Sequence, residues 1–172
     1  MSAGLAAALE RLVETDTRPV LLIDGGAGSG KTTLAESLAA SWPGGGPVQV
    51  VGLDELYPGW GGLSAGSDAV PTLITGTGFR TWEWAAGRPG AWRSLDPTEP
   101  LVVEGCGALT PASRALAGLA LWLEVDQATR RRRALARDGA VFAAHWDDWA
   151  AQEAVHWLTD HPRDLADLVL HP

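Results

Sequence analysis

Residues 25–32 read Gly25-Gly26-Ala27-Gly28-Ser29-Gly30-Lys31-Thr32. The run has the spacing of a phosphate-binding loop: a glycine, four residues, then Gly-Lys-Thr. Of the 13 lysine and arginine residues in this 172-residue chain, only Lys31 is a lysine. An arginine fork would not replace a compact ammonium that reaches between phosphates. The one lysine therefore stands where a phosphate-binding loop requires it.

The residue types of this loop predict how it would hold a nucleotide. Its glycines leave backbone N–H groups free to surround phosphate oxygens. A helix starting at about Lys31 would direct its positive dipole end at the same anion. The Thr32 hydroxyl is placed to bind Mg²⁺ that bridges the terminal phosphates. We therefore assign residues 25–33, ending at Thr33, to the binding of ATP, with Mg²⁺ as its metal.

The residues on either side of the loop support this assignment. Residues 20–24, Val-Leu-Leu-Ile-Asp, are typical of a buried strand that leads into the loop. After the loop, Leu34, Leu38 and Trp42 recur at helical spacing. Strand, loop and helix thus follow one another in the order that the motif needs.

Composition limits the classes of protein to consider. A length of 172 residues predicts one domain, residues 1–172, and 46% hydrophobic residues suit a globular protein. The net charge of −8 argues against a nucleic-acid partner, which would need a broad basic face. The single cysteine, Cys106, cannot form an internal disulfide. Without a long apolar run or a signal-peptide pattern, we expect a cytoplasmic protein with no membrane partner.

The remaining elements alternate between helix and strand, which predicts an α/β sandwich around a mostly parallel sheet. We expect four further strands. We also expect irregular structure over residues 53–99, and irregular segments of this length in compact domains usually have a function. A helix is expected from Thr110-Pro111, with threonine as its cap. The other expected ranges are helices near 3–15, 126–138 and 146–159, and strands at 48–51, 101–104, 119–125 and 166–170.

Two carboxylates fall directly after predicted strands, where parallel sheets bind ligands. Asp54 follows the second strand and is the candidate base that accepts a proton from the acceptor hydroxyl. Glu104 ends the third strand and is the candidate acid for Mg²⁺ or for orienting the substrate. Asp24, just before the loop, is expected to brace the loop backbone. Tyr57, the only tyrosine, suits either contact with the acceptor or a structural role.

Other candidates come from clusters of arginine and tryptophan. Arg130, Arg133 and Arg137 are spaced to share one helix face, which suits either a lid over the phosphates, at 126–140, or a solvated basic face. In the middle segment, alternation would put Arg80, Trp82 and Trp84 on one strand face. Arginine beside aromatic rings suits a planar or anionic acceptor.

Taken in order, four short motifs resemble those of uridine kinase-like P-loop kinases. They are Ile23-Asp24-Gly25, Asp54-Glu55-Leu56-Tyr57, Val102-Val103-Glu104-Gly105 and Arg130-x-x-Arg133-x-x-x-Arg137-Asp138. The resemblance implies a three-layer P-loop NTPase sandwich with a five-stranded sheet of order 2-3-1-4-5. It also implies that Asp54 is the catalytic aspartate and that Arg133 and Arg137 are lid arginines. Leu56 departs from the family, which usually has an aromatic residue there.

These observations favour a kinase that transfers the γ-phosphate of ATP to a hydroxyl of a small molecule, in this family a nucleoside such as uridine or cytidine. A kinase for a sugar, sugar acid or nucleoside monophosphate is the alternative within the same chemistry. A nucleotide-binding module or switch without an acceptor is the alternative from another class. A GTPase switch is disfavoured because its base-reading run contains asparagine, which this chain lacks.

Overall fold

The computed structural model describes residues 2–172. Its elements, in chain order, are α1 (Ala3–Thr15), β1 (Val20–Gly25), α2 (Lys31–Ala40), β2 (Gln49–Gly52), a 3₁₀ turn (Leu53–Glu55), α3 (Leu63–Thr75), β3 (Gly78–Glu83), β4 (Arg88–Ser94), β5 (Leu101–Glu104), α4 (Pro111–Arg114), β6 (Leu119–Leu123), α5 (Gln127–Ala143), α6 (Trp146–Asp160), α7 (Pro162–Leu165) and β7 (Leu168–Leu170).

Five strands form one parallel sheet in the order β2-β5-β1-β6-β7. Strands β3 and β4 lie outside this sheet and pair with each other as an antiparallel hairpin. When the five strands of the main sheet are numbered among themselves, their order is the predicted 2-3-1-4-5. The prediction of a mostly parallel sheet is thus confirmed, and every pair in it is parallel.

Side-chain alternation along the strands produces a core on each face of the sheet. In β1, Val20 and Leu22 join one core, while Leu21 and Ile23 join the other. The first core is completed by apolar residues of α3, α5 and α6, and the second by those of α1 and α2. Helices therefore cover both faces, as expected of a parallel sheet.

The prediction of irregular structure over residues 53–99 was wrong. The segment contains the 13-residue helix α3 and the β3–β4 hairpin. Gly66 and Pro71 lie inside α3 and obscured its helical pattern, since both residues disfavour helix interiors. A Cβ at position 66 would overlap the ring of Tyr57, so close packing explains the glycine.

The helices differ from their predicted ranges at several ends. Thr110 caps α4 through a capping box with Ser113, as predicted, although α4 is only 4 residues long. Asp126 caps α5 by accepting from the Thr129 N–H. Helix α5 continues beyond its expected end, with a kink at Gly139, where φ is 65°. No helix within residues 2–172 is long and apolar enough to cross a membrane.

Candidate active site

The glycine-rich loop connects β1 to α2 at the carboxyl end of the sheet. Gly28 and Gly30 have φ angles of 80° and 99°, in the left-handed region that favours glycine. No side chain caps the amino end of α2. The first N–H groups of this helix are therefore available to an anion, as the dipole also favours.

Lys31 folds back over the loop that precedes it. Its Nζ donates to the carbonyl oxygens of Gly25, at 2.8 Å, and Gly26, at 3.1 Å. Burial alone would lower the pKa of Lys31, but the acidic groups around it outweigh burial and raise the pKa; these groups are Cys106, Glu104, Glu153 and Asp24. The ammonium thus remains charged inside the loop.

Thr32 and Glu104 are joined by a hydrogen bond, in which Oγ1 of Thr32 donates to Oε1 of Glu104 at 2.8 Å. Glu104 lies at the end of β5, aligned with Ile23 of β1 and Gly52 of β2, and is buried. Burial raises the pKa of Glu104, although the Lys31 charge and the Thr32 hydrogen bond oppose this rise. A hydroxyl and a carboxylate together are ligands that suit Mg²⁺.

Asp54 lies in the 3₁₀ turn that directly follows β2, and its exposed side chain lines the same cleft as Lys31 and Glu104. Three residues on, Tyr57 is almost fully buried, and its hydroxyl donates to the Cys106 carbonyl at 2.7 Å. Burial raises the pKa of Tyr57 well above its ordinary value. The Tyr57 hydroxyl therefore has a structural partner, while its ring forms part of the cleft wall.

The cleft has a volume of about 560 Å³. It is bounded by the loop, the 3₁₀ turn, the end of β5, the hairpin turn and the second half of α5. Its lining comprises Ala27, Gly28, Gly30, Lys31, Thr32, Thr33, Asp54, Tyr57, Trp60, Trp84, Ala85, Glu104, Gly105, Cys106, Arg137, Asp138, Val141, Phe142 and Trp149. The glycine-rich loop and both candidate carboxylates thus face one space.

Aromatic side chains line one side of this cleft and are called here the aromatic wall: Tyr57, Trp60, Trp84, Phe142 and Trp149. The ring of Trp60 is central, with centroid distances of 4.9 Å to Trp84 and 5.5 Å to Phe142. The Tyr57 and Trp149 rings meet edge-on at 4.9 Å. Sequence reasoning missed Trp60, because one tryptophan among nine carries no distinguishing signal.

Arg80 and Trp82, predicted on the acceptor side, lie on β3 outside the cleft lining. Nη1 of Arg80 donates to the Gly90 carbonyl across the hairpin at 3.1 Å. A register shift between Arg80 and Trp82 breaks the alternation on which their assignment depended. Of the three residues expected on that face, only Trp84 reaches the cleft.

The arginines of α5 do not act as one face. Arg130 is buried, and its Nη1 pairs with Oε2 of Glu153 at 3.0 Å. The same nitrogen donates to the Ala27 carbonyl at 3.2 Å, and Glu153 accepts the Ala27 N–H at 2.6 Å. Arg130 and Glu153 therefore clamp the glycine-rich loop at Ala27, a role that sequence reasoning did not find.

Arg137 and Arg133 differ in position. Arg137 lines the cleft and donates to both carboxylate oxygens of Asp138, at 2.8 and 2.6 Å. These hydrogen bonds raise the pKa of Arg137, and the charges of Asp54 and Glu104 add to the rise against the effect of burial. Arg133 is exposed and lies outside the cleft lining. Its assignment to a lid stays a prediction.

Asp24 is completely buried behind the loop. Its carboxylate accepts the N–H groups of Gly25, Gly107 and Leu109, at 2.6, 3.1 and 2.8 Å. It also lies 3.1 Å from Nε2 of His156. Asp24 therefore ties β1 to the segment that follows β5, which is the bracing position expected from the sequence.

His156 has a second carboxylate partner, since its Nδ1 lies 2.8 Å from Oδ2 of Asp160. Burial lowers the pKa of His156, but hydrogen bonds to Asp24 and Asp160 and their charges outweigh burial and raise it. Hydrogen bonds thus link Asp160 of α6, through His156 and Asp24, to Gly25 at the start of the glycine-rich loop.

The residues present fit ATP phosphates and Mg²⁺. The uncapped start of α2 and the left-handed glycines supply backbone donors, and Lys31 supplies a cation. Within residues 2–172, the buried Ser29 hydroxyl of the loop has no hydrogen-bond partner. Thr32 and Glu104 together would hold the metal.

Comparison with known proteins gives fold relatives only. No family model and no curated protein matches the chain. A possible uridine kinase from Bacillus stearothermophilus matches with a TM-score of 0.62 and 18% identity, over 97% of this chain and 99% of that one. A candidate fructose transport system kinase from Silicibacter sp. TM1040 matches with a TM-score of 0.60 and 20% identity, over 99% and 100%. The predicted resemblance to uridine kinase-like proteins is thus confirmed in the fold.

Proposed function

We propose that this protein is a kinase that transfers the γ-phosphate of ATP to a hydroxyl group of a small molecule. The observation that carries the proposal is that Lys31, Thr32, Glu104 and Asp54 line one cleft. Phosphoryl transfer needs positioning and charge neutralisation more than covalent chemistry, and these residue types supply both. The two structural neighbours, each described as a kinase of a small molecule, support the same reading.

Each residue has a distinct part in this proposal. Lys31 binds the β- and γ-phosphates, and Thr32 with Glu104 holds Mg²⁺, which neutralises phosphate charge when bound. Asp54 accepts the proton of the attacking hydroxyl. Glu104 is assigned to the metal rather than to the base because it already shares a hydrogen bond with Thr32. Arg137 stabilises negative charge that develops on the transferring group.

The shape and charge of the cleft support an uncharged planar acceptor. The aromatic wall offers ring faces for stacking. The cations among the lining residues are Lys31 and Arg137, and Arg137 is already bonded to Asp138. An anionic acceptor, such as a nucleoside monophosphate or a sugar acid, would also meet Asp54. We therefore propose a nucleoside, with uridine and cytidine as the first compounds to test.

A sugar is the second candidate acceptor, because one structural neighbour is described as a fructose transport system kinase. Incubation with Mg·ATP and separate panels of nucleosides, sugars and nucleoside monophosphates tests all of these. We expect one panel to yield a phosphorylated product by mass spectrometry. ATP binding without product from any panel would contradict the kinase proposal and indicate a nucleotide-binding module.

A further inference from the structure

The turn that carries Asp54 is short and needs support from outside. It is a three-residue 3₁₀ turn, Leu53–Glu55, closed by N–H groups of Leu56 and Tyr57 that donate to the Leu53 carbonyl at 2.8 and 3.0 Å. Such turns have poorer hydrogen-bond geometry than α-helices. The Asp54 side chain is exposed, so its position is not fixed by packing around the carboxylate.

The β3–β4 hairpin provides that support at two points. Nε1 of Trp84, in the hairpin turn, donates to the Asp54 carbonyl at 2.8 Å. Nη1 of Arg93, on β4, pairs with the Glu55 carboxylate. Nη2 of the same arginine donates to the Val50 carbonyl, in β2, at 2.7 Å. The hairpin thus holds the turn at the Asp54 carbonyl and the Glu55 carboxylate, and holds the preceding strand at Val50.

We infer that Trp84 and Arg93 are positioning residues that set the location of Asp54 in the cleft. This inference rests on the proposed function, in which Asp54 is the base. Proton transfer requires the base within hydrogen-bond reach of the acceptor hydroxyl, so a small displacement of the turn slows the reaction. Neither residue touches the reacting atoms; both act through the backbone and side chains of the turn.

Trp84 also links this support to the acceptor. Its ring lines the cleft and packs against Trp60 with a centroid distance of 4.9 Å. An acceptor that stacks on the aromatic wall would therefore contact Trp84, the residue that donates a hydrogen bond to the Asp54 carbonyl. Acceptor binding and placement of the base are in this way coupled through one side chain.

The tryptophan arm of the test compares Trp84→Phe with Trp92→Phe. The first keeps an aromatic ring in the cleft and removes the indole N–H. The second changes a tryptophan of the same hairpin that is 56% exposed and lies outside the cleft. We expect Trp84→Phe to lower kcat about 3- to 10-fold, the effect of one lost hydrogen bond, with unchanged affinity for an ATP analogue. Trp92→Phe should leave kcat unchanged.

The arginine arm compares Arg93→Gln with Arg88→Gln. Arg88 pairs with Glu83 across the hairpin beside its turn, where both side chains are largely exposed and neither lines the cleft. We expect about a 10-fold or larger fall in kcat for Arg93→Gln, because two contacts are lost, and partial recovery in Arg93→Lys. Equal kcat values in the matched variants of either arm would overturn the inference.

Hydrogen exchange separates this inference from the proposed function. The amides of Leu56 and Tyr57 close the turn, so they should exchange faster in Trp84→Phe and Arg93→Gln than in Trp92→Phe and Arg88→Gln. This readout does not require an identified acceptor. Unchanged exchange in all four variants would overturn the positioning role even in an active kinase. Faster exchange in a protein that phosphorylates no acceptor would contradict the kinase proposal alone.

Discussion

Thr32 and Glu104 are hydrogen-bonded at 2.8 Å although 72 residues separate them in the chain. The bond joins the start of α2 to the end of β5. The two side chains therefore present a pair of oxygen ligands at the carboxyl end of the sheet. Glu104 is also held in a buried position that raises its pKa. A buried carboxylate without a metal is expected to cost folding free energy, which makes it a site where stability and function conflict.

Glu104→Gln should therefore stabilise the protein while lowering its Mg·ATP turnover. The folded state holds the pKa of Glu104 above its unfolded value, so the charged carboxylate is destabilising at pH values above that pKa. The advantage of the variant should shrink as pH falls and Glu104 becomes protonated. Urea unfolding between pH 5 and 8 measures this difference. A variant that is less stable than wild type at every pH, or that keeps full turnover, would contradict the assignment.

Asp54→Asn tests the base. Asparagine keeps the size of the side chain but cannot accept the proton, so kcat should fall by roughly 10²- to 10⁴-fold. Affinity for ATP should change little, because the proposed function assigns Asp54 to the acceptor hydroxyl and not to the phosphates or the metal. Steady-state kinetics and calorimetric titration with an ATP analogue measure the two effects. A loss of ATP affinity with near-normal turnover would assign Asp54 to the metal and Glu104 to the base.

Arg137→Ala should raise the activation free energy by on the order of 2–4 kcal/mol. The fall in kcat should therefore be larger than the rise in the KM for ATP. Arg131 and Arg132 are exposed and outside the cleft, so their alanine variants are matched controls with the same loss of charge. The kcat of Arg133→Ala shows whether Arg133 also contributes to a lid over the cleft. A loss like that of Arg137 would show that α5 closes further over the cleft. Equal, mild effects at all four positions would leave no lid.

The Arg130–Glu153 pair should be a large contributor to stability. Glu153→Gln leaves the buried guanidinium unpaired, and removal of one partner of such a pair costs about 3–5 kcal/mol. Glu124→Gln, which breaks an exposed pair with Arg163, should cost less than about 1 kcal/mol. Urea unfolding compares the two variants. Similar, small losses in both would show that the buried pair does not hold the loop.

The parts predicted well from sequence are those governed by local chemistry. The glycines and Lys31 define the loop without help from distant residues, and the apolar run before them defines β1. Strand order followed from the family resemblance rather than from the residues themselves. The strand order depends on long-range pairing, such as the alignment of Val20 with Leu101, which only the structure shows.

The missed features depend on tertiary contacts. Glycine disfavours helix interiors, yet Gly66 lies inside α3, where the Tyr57 ring packs against it and leaves no room for a Cβ. Helical spacing groups Arg130 with Arg133 and Arg137 on one face, and only its burial and its pairing with Glu153 of α6 set it apart. The aromatic wall likewise assembles from the loop after the 3₁₀ turn, the hairpin, α5 and α6, segments with no shared sequence pattern.

Isothermal titration of wild type and Lys31→Ala with an unhydrolysable ATP analogue and Mg²⁺ tests whether residues 25–32 bind the phosphates of ATP. Lys31 is the cation at the centre of the loop, so the alanine variant should bind the analogue far more weakly. Lys31→Arg should fail as well, because the wider fork does not fit the loop. Unchanged affinity in Lys31→Ala would contradict the assignment of residues 25–32 as the phosphate site and, with it, the proposed kinase.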